Sequence, residues 1–215
     1  LHEVIRLSGM NLIIDDTDHP LIIKVASLQS ARMQVYFIEN DDYFHNRLMI
    51  TDENGKEYDD NDERTIFFNL GVIEAVKKQR WCPEIIHCNG WMSALIPIYI
   101  KKTFIDNPLF SDSKIVLSIY DDDFPKSFPA GFDKKMKMNG IVPKDVKNLR
   151  TTNFVNLMKN AVDFSDAIIF GSEKINPKLE EYVKSSGKPF LEYQSPENYV
   201  DAYNDFYDSL LKEEK

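Results

Sequence analysis

Glu84-Ile85-Ile86-His87-Cys88-Asn89-Gly90-Trp91-Met92-Ser93-Ala94-Leu95-Ile96-Pro97 is the stretch on which the reading of this chain turns. Ile85 and Ile86 make a short apolar run, the mark of a buried strand. The run ends in the polar residues His87 to Gly90. An apolar helical stretch is expected from Trp91 to about Phe104. Strand, polar turn and helix form the unit from which α/β ligand sites are built. Ligands sit outside the carboxyl ends of the strands, beside helix N-termini whose free N–H groups attract anions and sugar oxygens.

Working outward, Ile115 to Ile119 is a further apolar strand ending in Tyr120-Asp121-Asp122-Asp123. On the N-terminal side a helix should start near Asp60, where Asp60-x-x-Glu63 resembles a capping box. Ile66, Leu70, Ile73 and Val76 give that helix one apolar face. Lys77, Lys78 and Arg80 suit its C-terminal end. Leu21–Leu28 and Met33–Ile38 read as an antiparallel hairpin. Residues 1–20 are ambiguous. Residues 39–60 are acidic and carry the turn signal Asn54-Gly55.

Residues 121–150 form a long irregular segment, of the kind usually functional or mobile. A helix follows with Phe154, Leu157, Met158, Ala161 and Val162 on one face. Then come a strand at Ala167–Phe170, a helix at Pro177–Lys184 stopping at Gly187, and a short strand at Phe190-Leu191. Ser195-Pro196 opens the last helix as cap and first-turn proline. Its apolar face is Tyr199, Tyr203, Phe206 and Leu210. The alternation from residue 60 onward predicts an α/β fold: a Rossmann-like, mostly parallel sheet with helices on both faces and a hairpin added near the start. Strand 84–88 is expected at its centre. No domain linker is visible, so residues 1–215 are expected to form a single domain.

Composition narrows the function. With 43% apolar residues, the 215-residue chain can fill a substantial core. A net charge of −9 argues against nucleic acid and against an anionic membrane surface. No apolar run is long enough to span a bilayer. Cys82 and Cys88 fit a reducing cytoplasm better than a disulfide framework. They lack companions at zinc spacing, so no metal is expected, nor is a cofactor. The first residue is Leu1, and the natural N-terminus is expected to lie upstream.

Several stretches together resemble the N-terminal domain of bacterial glycogen and plant starch synthases, which extend α-1,4-glucans from ADP-glucose. They are Val35-Tyr36-Phe37-Ile38, Asp52-Glu53-Asn54-Gly55, Tyr58-x-Asp60-Asn61-x-x-Arg64 with Phe67-Phe68, and Trp81-x-Pro83-Glu84-Ile85-Ile86-His87-Cys88. Trp91 to Pro97 and strand 115–119 complete the set. Their order and spacing match over residues 33–120, and Asn153–Ser172 still resembles the family's next helix and strand. The resemblance implies one of two Rossmann-like domains of a GT-B glycosyltransferase, the one that holds the glucan acceptor. It implies a weakly held α-glucan or maltooligosaccharide, and ADP-glucose only together with a partner chain. No second nucleotide-sugar domain is visible after Ser172.

The chain also departs from the family. At the central turn the family reads His-x-His-Asp-Trp, and here Asn89 and Gly90 replace the second His and the Asp. Asn cannot carry a proton near neutral pH, which removes any acid–base role. Where the family has a His-Asn pair after strand 115–119, this chain has Tyr120-Asp121. The family's Lys-x-Gly-Gly loop would lie before Leu1. No catalytic residue is therefore assigned.

Candidate acceptor-binding residues are Asp60, Asn61, Arg64, His87, Asn89, Gly90, Trp91 and Tyr120. Each has a plainer reading. His87 reads as a satisfied structural histidine. Gly90 permits a tight turn, and Trp91 is core packing. Asp60, Asn61 and Arg64 read as a helix cap and a surface ion pair. Asp121-Asp122-Asp123 could bind a cation but reads more simply as a solvated loop. Two functional readings remain: a glucosyltransferase of glycogen/starch synthase type, incomplete on its own, or a non-catalytic glucan-binding or regulatory relative.

Overall fold

The computed structural model describes residues 5–212. These fall into two compact units, one ending at Arg80 and the other starting at Trp81. The first contains β1 (Ile5–Ile14), β2 (Thr17–Leu28), β3 (Met33–Glu39) and α1 (Asn61–Gln79). The second contains β4 (Ile85–Asn89), α2 (Ile96–Ile98), β5 (Lys114–Ile119), α3 (Phe132–Lys135), α4 (Phe154–Phe164), β6 (Ala167–Phe170), α5 (Pro177–Ser185), β7 (Phe190–Leu191) and α6 (Tyr199–Lys212).

In the first unit the expected hairpin is present. β2 and β3 pair antiparallel with Ile23 opposite Ile38. The ambiguous N-terminal residues add β1, antiparallel to β2. Asp15 and Asp16 turn between them, both with positive φ, which short polar side chains tolerate best after glycine. Leu12, Ile14, Leu21 and Ile23 are buried, as are Ile66, Phe67, Leu70 and Ile73 of α1.

The second unit holds the parallel sheet, in the order β4-β5-β6-β7. Every neighbouring pair in it is parallel. All four residues of β6 are buried, so both faces of that strand are covered. On one face Val116, Ala167 and Ile169 pack with Leu210 of α6, flanked by Tyr203, Phe206 and Tyr207. The last helix therefore lies on the sheet through the face its spacing marked.

Two expectations are corrected here. The sequence places strand 84–88 at the centre, but β4 is the edge of its sheet and pairs with β5 alone among the described residues. The mostly apolar β5, buried from Ile115 to Ile119 and broken only by Ser118, takes the inner position instead. β4 alternates in polar residues, His87 and Asn89, and only Cys88 of its five residues is buried. The single helix expected over 91–104 is broken into three short turns. Trp91–Ser93 is a 3₁₀ turn, α2 spans only three residues, and Tyr99–Thr103 is a π turn. Pro97 supplies no N–H to a continuous ladder. The Phe104 N–H reaches back five residues to the Tyr99 carbonyl.

Candidate functional site

The candidate residues form one cluster in each unit. In the first unit they gather at the start of α1. Asp60 is the N-cap by position, but its side chain makes no capping bond. Its two oxygens instead accept from the fork of Arg47, at 2.7 and 2.5 Å. That bidentate pairing holds the Arg47 guanidinium above its usual pKa. Arg47 also lies over the Tyr58 ring, 4.1 Å from its centroid.

Arg64 is 1% exposed. Its Nε donates to the Tyr43 carbonyl, Nη1 to Asn61 Oδ1 and Nη2 to the Leu48 carbonyl. Asn61 in turn donates to the Ile50 carbonyl. Arg64 and Asn61 thus pin the loop between β3 and α1 onto the helix start. Burial lowers the pKa of Arg64, and the three acceptors compensate its desolvation. Beside this network an open groove of about 470 Å³ is bordered by Arg47, Leu48, Asn54 and Tyr58. No sequence pattern marks Arg47, which lies in an irregular loop.

In the second unit the cluster sits at the carboxyl end of β4. His87 Nε2 lies 2.6 Å from Ser118 Oγ, and Nδ1 lies 2.7 Å from the Tyr207 hydroxyl. Tyr203 and Tyr207 meet the imidazole edge-on. Desolvation drops the His87 pKa to about 4, so the ring is neutral near pH 7, with one nitrogen donating and the other accepting. Both ring nitrogens are engaged, and Ser118 is fully buried. The group is a structural latch between β4, β5 and α6.

Asn89 is exposed and accepts the Tyr120 hydroxyl at 2.9 Å. The Tyr120 ring lies against Gly171, where a Cβ would stand 2.4 Å from its Cε1. Gly90 has φ 69° and ψ −178°, a conformation nearly confined to glycine. Its N–H donates to the Ser118 carbonyl, which ties the turn to β5. Trp91 is 1% exposed and meets Phe124 edge-on at 4.9 Å and Phe128 at 5.9 Å, so it packs as core.

The backbone N–H of Trp91 is held by the Asp122 carboxylate, whose pKa is pushed up to about 6 by burial. Asp122 Oδ1 is buried and has no hydrogen-bond partner. Among the described residues, no group of three or more His, Cys, Asp or Glu side chains is arranged to hold a metal ion.

Tyr193, Gln194, Pro196, Tyr199 and Tyr203 border an open groove of about 480 Å³, which His87, Asn89, Tyr120 and Gly171 also line. Helical spacing assigns Tyr199 and Tyr203 to a core face and does not mark Tyr193, Gln194 or Tyr207. The four-residue spacing of Tyr199, Tyr203 and Tyr207 was the available signal. It marks a face without saying which end of that face stays open.

A parallel sheet with a polar turn at the carboxyl end of a strand places this chain among the α/β proteins that bind ligands at that end. The chain belongs to the starch synthase catalytic domain family, which it matches over residues 1–185. It is 33% identical to a glycogen synthase of Chlorobium limicola over 171 residues, covering 78% of this chain and 34% of that protein. It is 29% identical to a glycogen synthase of Pelodictyon phaeoclathratiforme over 99% of this chain and 45% of the relative. Its fold matches the catalytic domain of starch synthase IV from Arabidopsis thaliana, solved with ADP and acarbose, at a TM-score of 0.70 and 15% identity. That match covers 90% of this chain and 41% of the other. The chain thus spans less than half the length of these relatives. Among the described residues no helix is long and apolar enough to cross a membrane.

Proposed function

We propose that these 215 residues form one acceptor-side domain of a glucosyltransferase of the glycogen/starch synthase type. In this reading the domain works in the cytoplasm and holds an α-1,4-glucan or maltooligosaccharide weakly. ADP-glucose is used only when a second, donor-binding wall or partner chain faces it. The observation that carries the reading is the His87–Trp91 turn at the carboxyl end of a parallel strand, inside a chain whose residues 1–185 match the family. Open α/β sheets place their ligands at that position. Asp60, Asn61, Arg64, His87, Asn89, Gly90, Trp91 and Tyr120 are proposed to build the acceptor side. Asn89 and Tyr120 would touch sugar, Asp60 would hold Arg47 at the groove in the first unit, and Asn61, Arg64, His87, Gly90 and Trp91 would support from within.

The second reading, a non-catalytic glucan-binding relative, is favoured by the neutral, doubly bonded state of His87. A titration with maltoheptaose, followed by amide shifts, tests the shared part of both readings. Shifts near Asn89, Tyr120 or the α1 start at millimolar ligand are expected. Their complete absence would overturn both.

A further inference from the structure

Residues 124–150, between β5 and α4, carry seven lysines and arginines against two aspartates, a net of +5 in a chain of net −9. The segment is irregular but firmly seated. Phe128, Phe132, Met136 and Val146 are buried. The Tyr99 hydroxyl donates to the Met136 carbonyl, and Asn160 of α4 donates to the Asp145 carbonyl. One of the two acids is spent inside, for Asp145 is 9% exposed and pairs with Lys102 at 3.1 Å. The cations stay outside. Lys134, Lys137, Lys144, Lys147 and Arg150 are exposed. Helix α3, which bears Lys134, packs against the 3₁₀ turn Lys147–Arg150. Among the described residues no ion pair holds Lys134, Lys137, Lys147 or Arg150.

Like charges crowded on a fixed base repel one another, and an anionic surface relieves that repulsion. The rest of the segment narrows the kind of surface. Single-stranded nucleic acid is held by exposed rings that stack on bases, and all three phenylalanines of the segment are buried. A lipid surface takes apolar anchors beside the cations, and Val142 is the one large apolar side chain of the segment that is exposed. A protein face of opposite charge asks for neither, and this chain carries one. No lysine or arginine lies between Lys188 and Lys212, while Glu192, Glu197, Asp201, Asp205 and Asp208 give that stretch a net of −5. Asp201, Asp205 and Asp208 follow at steps of four and three, which puts them on one side of α6. All three are exposed and in no ion pair among the described residues. The other side of α6 packs on Val116, Ala167 and Ile169. Side chains alternate along a strand, so Leu117 and Ile168 point away from α6. Both are fully buried, beneath the layer of α4 and α5. The basic segment is bonded to α4 and the acidic row rides on α6, so the two lie on opposite faces of the sheet.

We propose that the basic face of one molecule, centred on Lys134 and Lys147, docks on the acidic α6 face of a second copy of this chain. The two faces are different surfaces set back to back, so the contact is head-to-tail and open rather than a closed dimer. Local pairing drives it. At physiological salt, charges more than about 8 Å apart are largely screened, so the net charge of −9 does not keep two copies from touching where their faces match.

Sedimentation velocity of the intact chain tests this. At low salt the mean sedimentation coefficient is expected to rise with concentration without levelling at a dimer. Association should weaken about tenfold or more between about 0.05 and 0.3 M NaCl. Two variants separate local pairing from net charge. Lys134→Glu with Lys147→Glu makes the chain more negative, and Asp205→Lys with Asp208→Lys makes it less so. If net repulsion alone governed association, the second variant would associate better than the unaltered chain. Docking of the two faces predicts instead that each variant alone is monomeric. Mixed together they should form a 1:1 complex that grows no further, because the first keeps its acidic face, the second keeps its basic face, and the other two faces are spoiled. All four substituted residues are exposed, and unchanged far-UV dichroism checks that the fold is kept. A chain that stays monomeric at low salt would overturn the proposal, and so would either variant associating as the unaltered chain does. A mixture that stays monomeric would overturn it too. Capture of a polyglutamate peptide by a chain that does not self-associate would overturn it as well, and would assign the basic face to a different acidic protein.

Discussion

The Asp122 carboxylate stands where a side chain at Gly90 would be: a Cβ built on Gly90 lies 2.8 Å from Asp122 Oδ2. The same carboxylate receives the Trp91 N–H. The turn after β4 is thus capped by an acid from the loop that follows β5, and it needs an empty position 90 to admit it.

Substitution at Gly90 should therefore be costly twice over. The backbone conformation strains any residue with a Cβ, by about 1–3 kcal/mol, and the Cβ collides with Asp122. Gly90→Ala is expected to lower the urea midpoint by an amount in or above that range. In an Asp122→Ala background the further cost of Gly90→Ala should shrink but not vanish, because the φ penalty remains. Equal costs in both backgrounds would show that the collision contributes nothing.

Two groups near this turn titrate in opposite senses. The folded-state pKa of His87, about 4, lies below its ordinary value near 6.5, so the unfolded chain binds the extra proton between them. Its contribution to stability is full above pH 6.5 and is lost as pH falls toward 4, by about 2–3 kcal/mol. Asp122 is raised to about 6, so the folded chain binds the extra proton. Stability is gained as pH falls from 6 toward 4, by about 1–2 kcal/mol after allowing for its partial exposure. The two slopes offset each other in the native chain. Asp122→Asn should make stability fall more steeply from pH 6.5 to 4, and His87→Gln should make it fall less or rise. Urea unfolding at several pH values checks this. Parallel profiles for both variants would refute the assignment.

How far the sequence discloses this arrangement depends on whether a feature is local. Strand β6 and helix α5 are bounded by local signals, and the predicted residues match to within one position. The hairpin β2–β3 and the start of α1 are likewise local. The edge position of β4 is not, because it depends on which strand has the more continuous apolar run, a comparison across the whole sheet. The π turn at 99–103 follows from Pro97 and the surrounding packing, which periodicity does not register. Asp122 was visible only as one of three aspartates. Nothing local distinguishes the one that reaches the Trp91 N–H from its solvated neighbours. Asp60 was read as a helix cap, and its place is right, but its partner Arg47 lies 13 residues away.

Arg64 is predicted to act on stability through its bonds to Tyr43, Leu48 and Asn61. Arg64→Ala leaves three acceptors without their donor, two of those bonds being fully buried, and a cost of about 3 kcal/mol is expected. Arg64→Lys should recover only part of it, since an ammonium cannot reproduce the planar fork. Denaturant midpoints measure both. A near-neutral Arg64→Ala would mean that water replaces the guanidinium.

The last prediction concerns transfer itself. These 215 residues alone are expected to move no measurable glucose from ADP-glucose onto glycogen. Holding donor and acceptor in contact supplies roughly 7–11 kcal/mol of barrier lowering, and one wall cannot do it. The local chemistry points the same way. His87 is neutral with both nitrogens engaged, and Asn89 carries no proton, so neither serves as acid or base. Installing the family's residues does not repair this. Asn89→His loses the carboxamide oxygen that accepts from Tyr120, and Gly90→Asp drives a second carboxylate into Asp122. The double variant should therefore be less stable and still inactive. A radiolabelled transfer assay reads the outcome directly. Turnover by the unaltered chain would show that a second wall is not required, and turnover by the stable double variant alone would show that position 89 or 90 was the limiting defect.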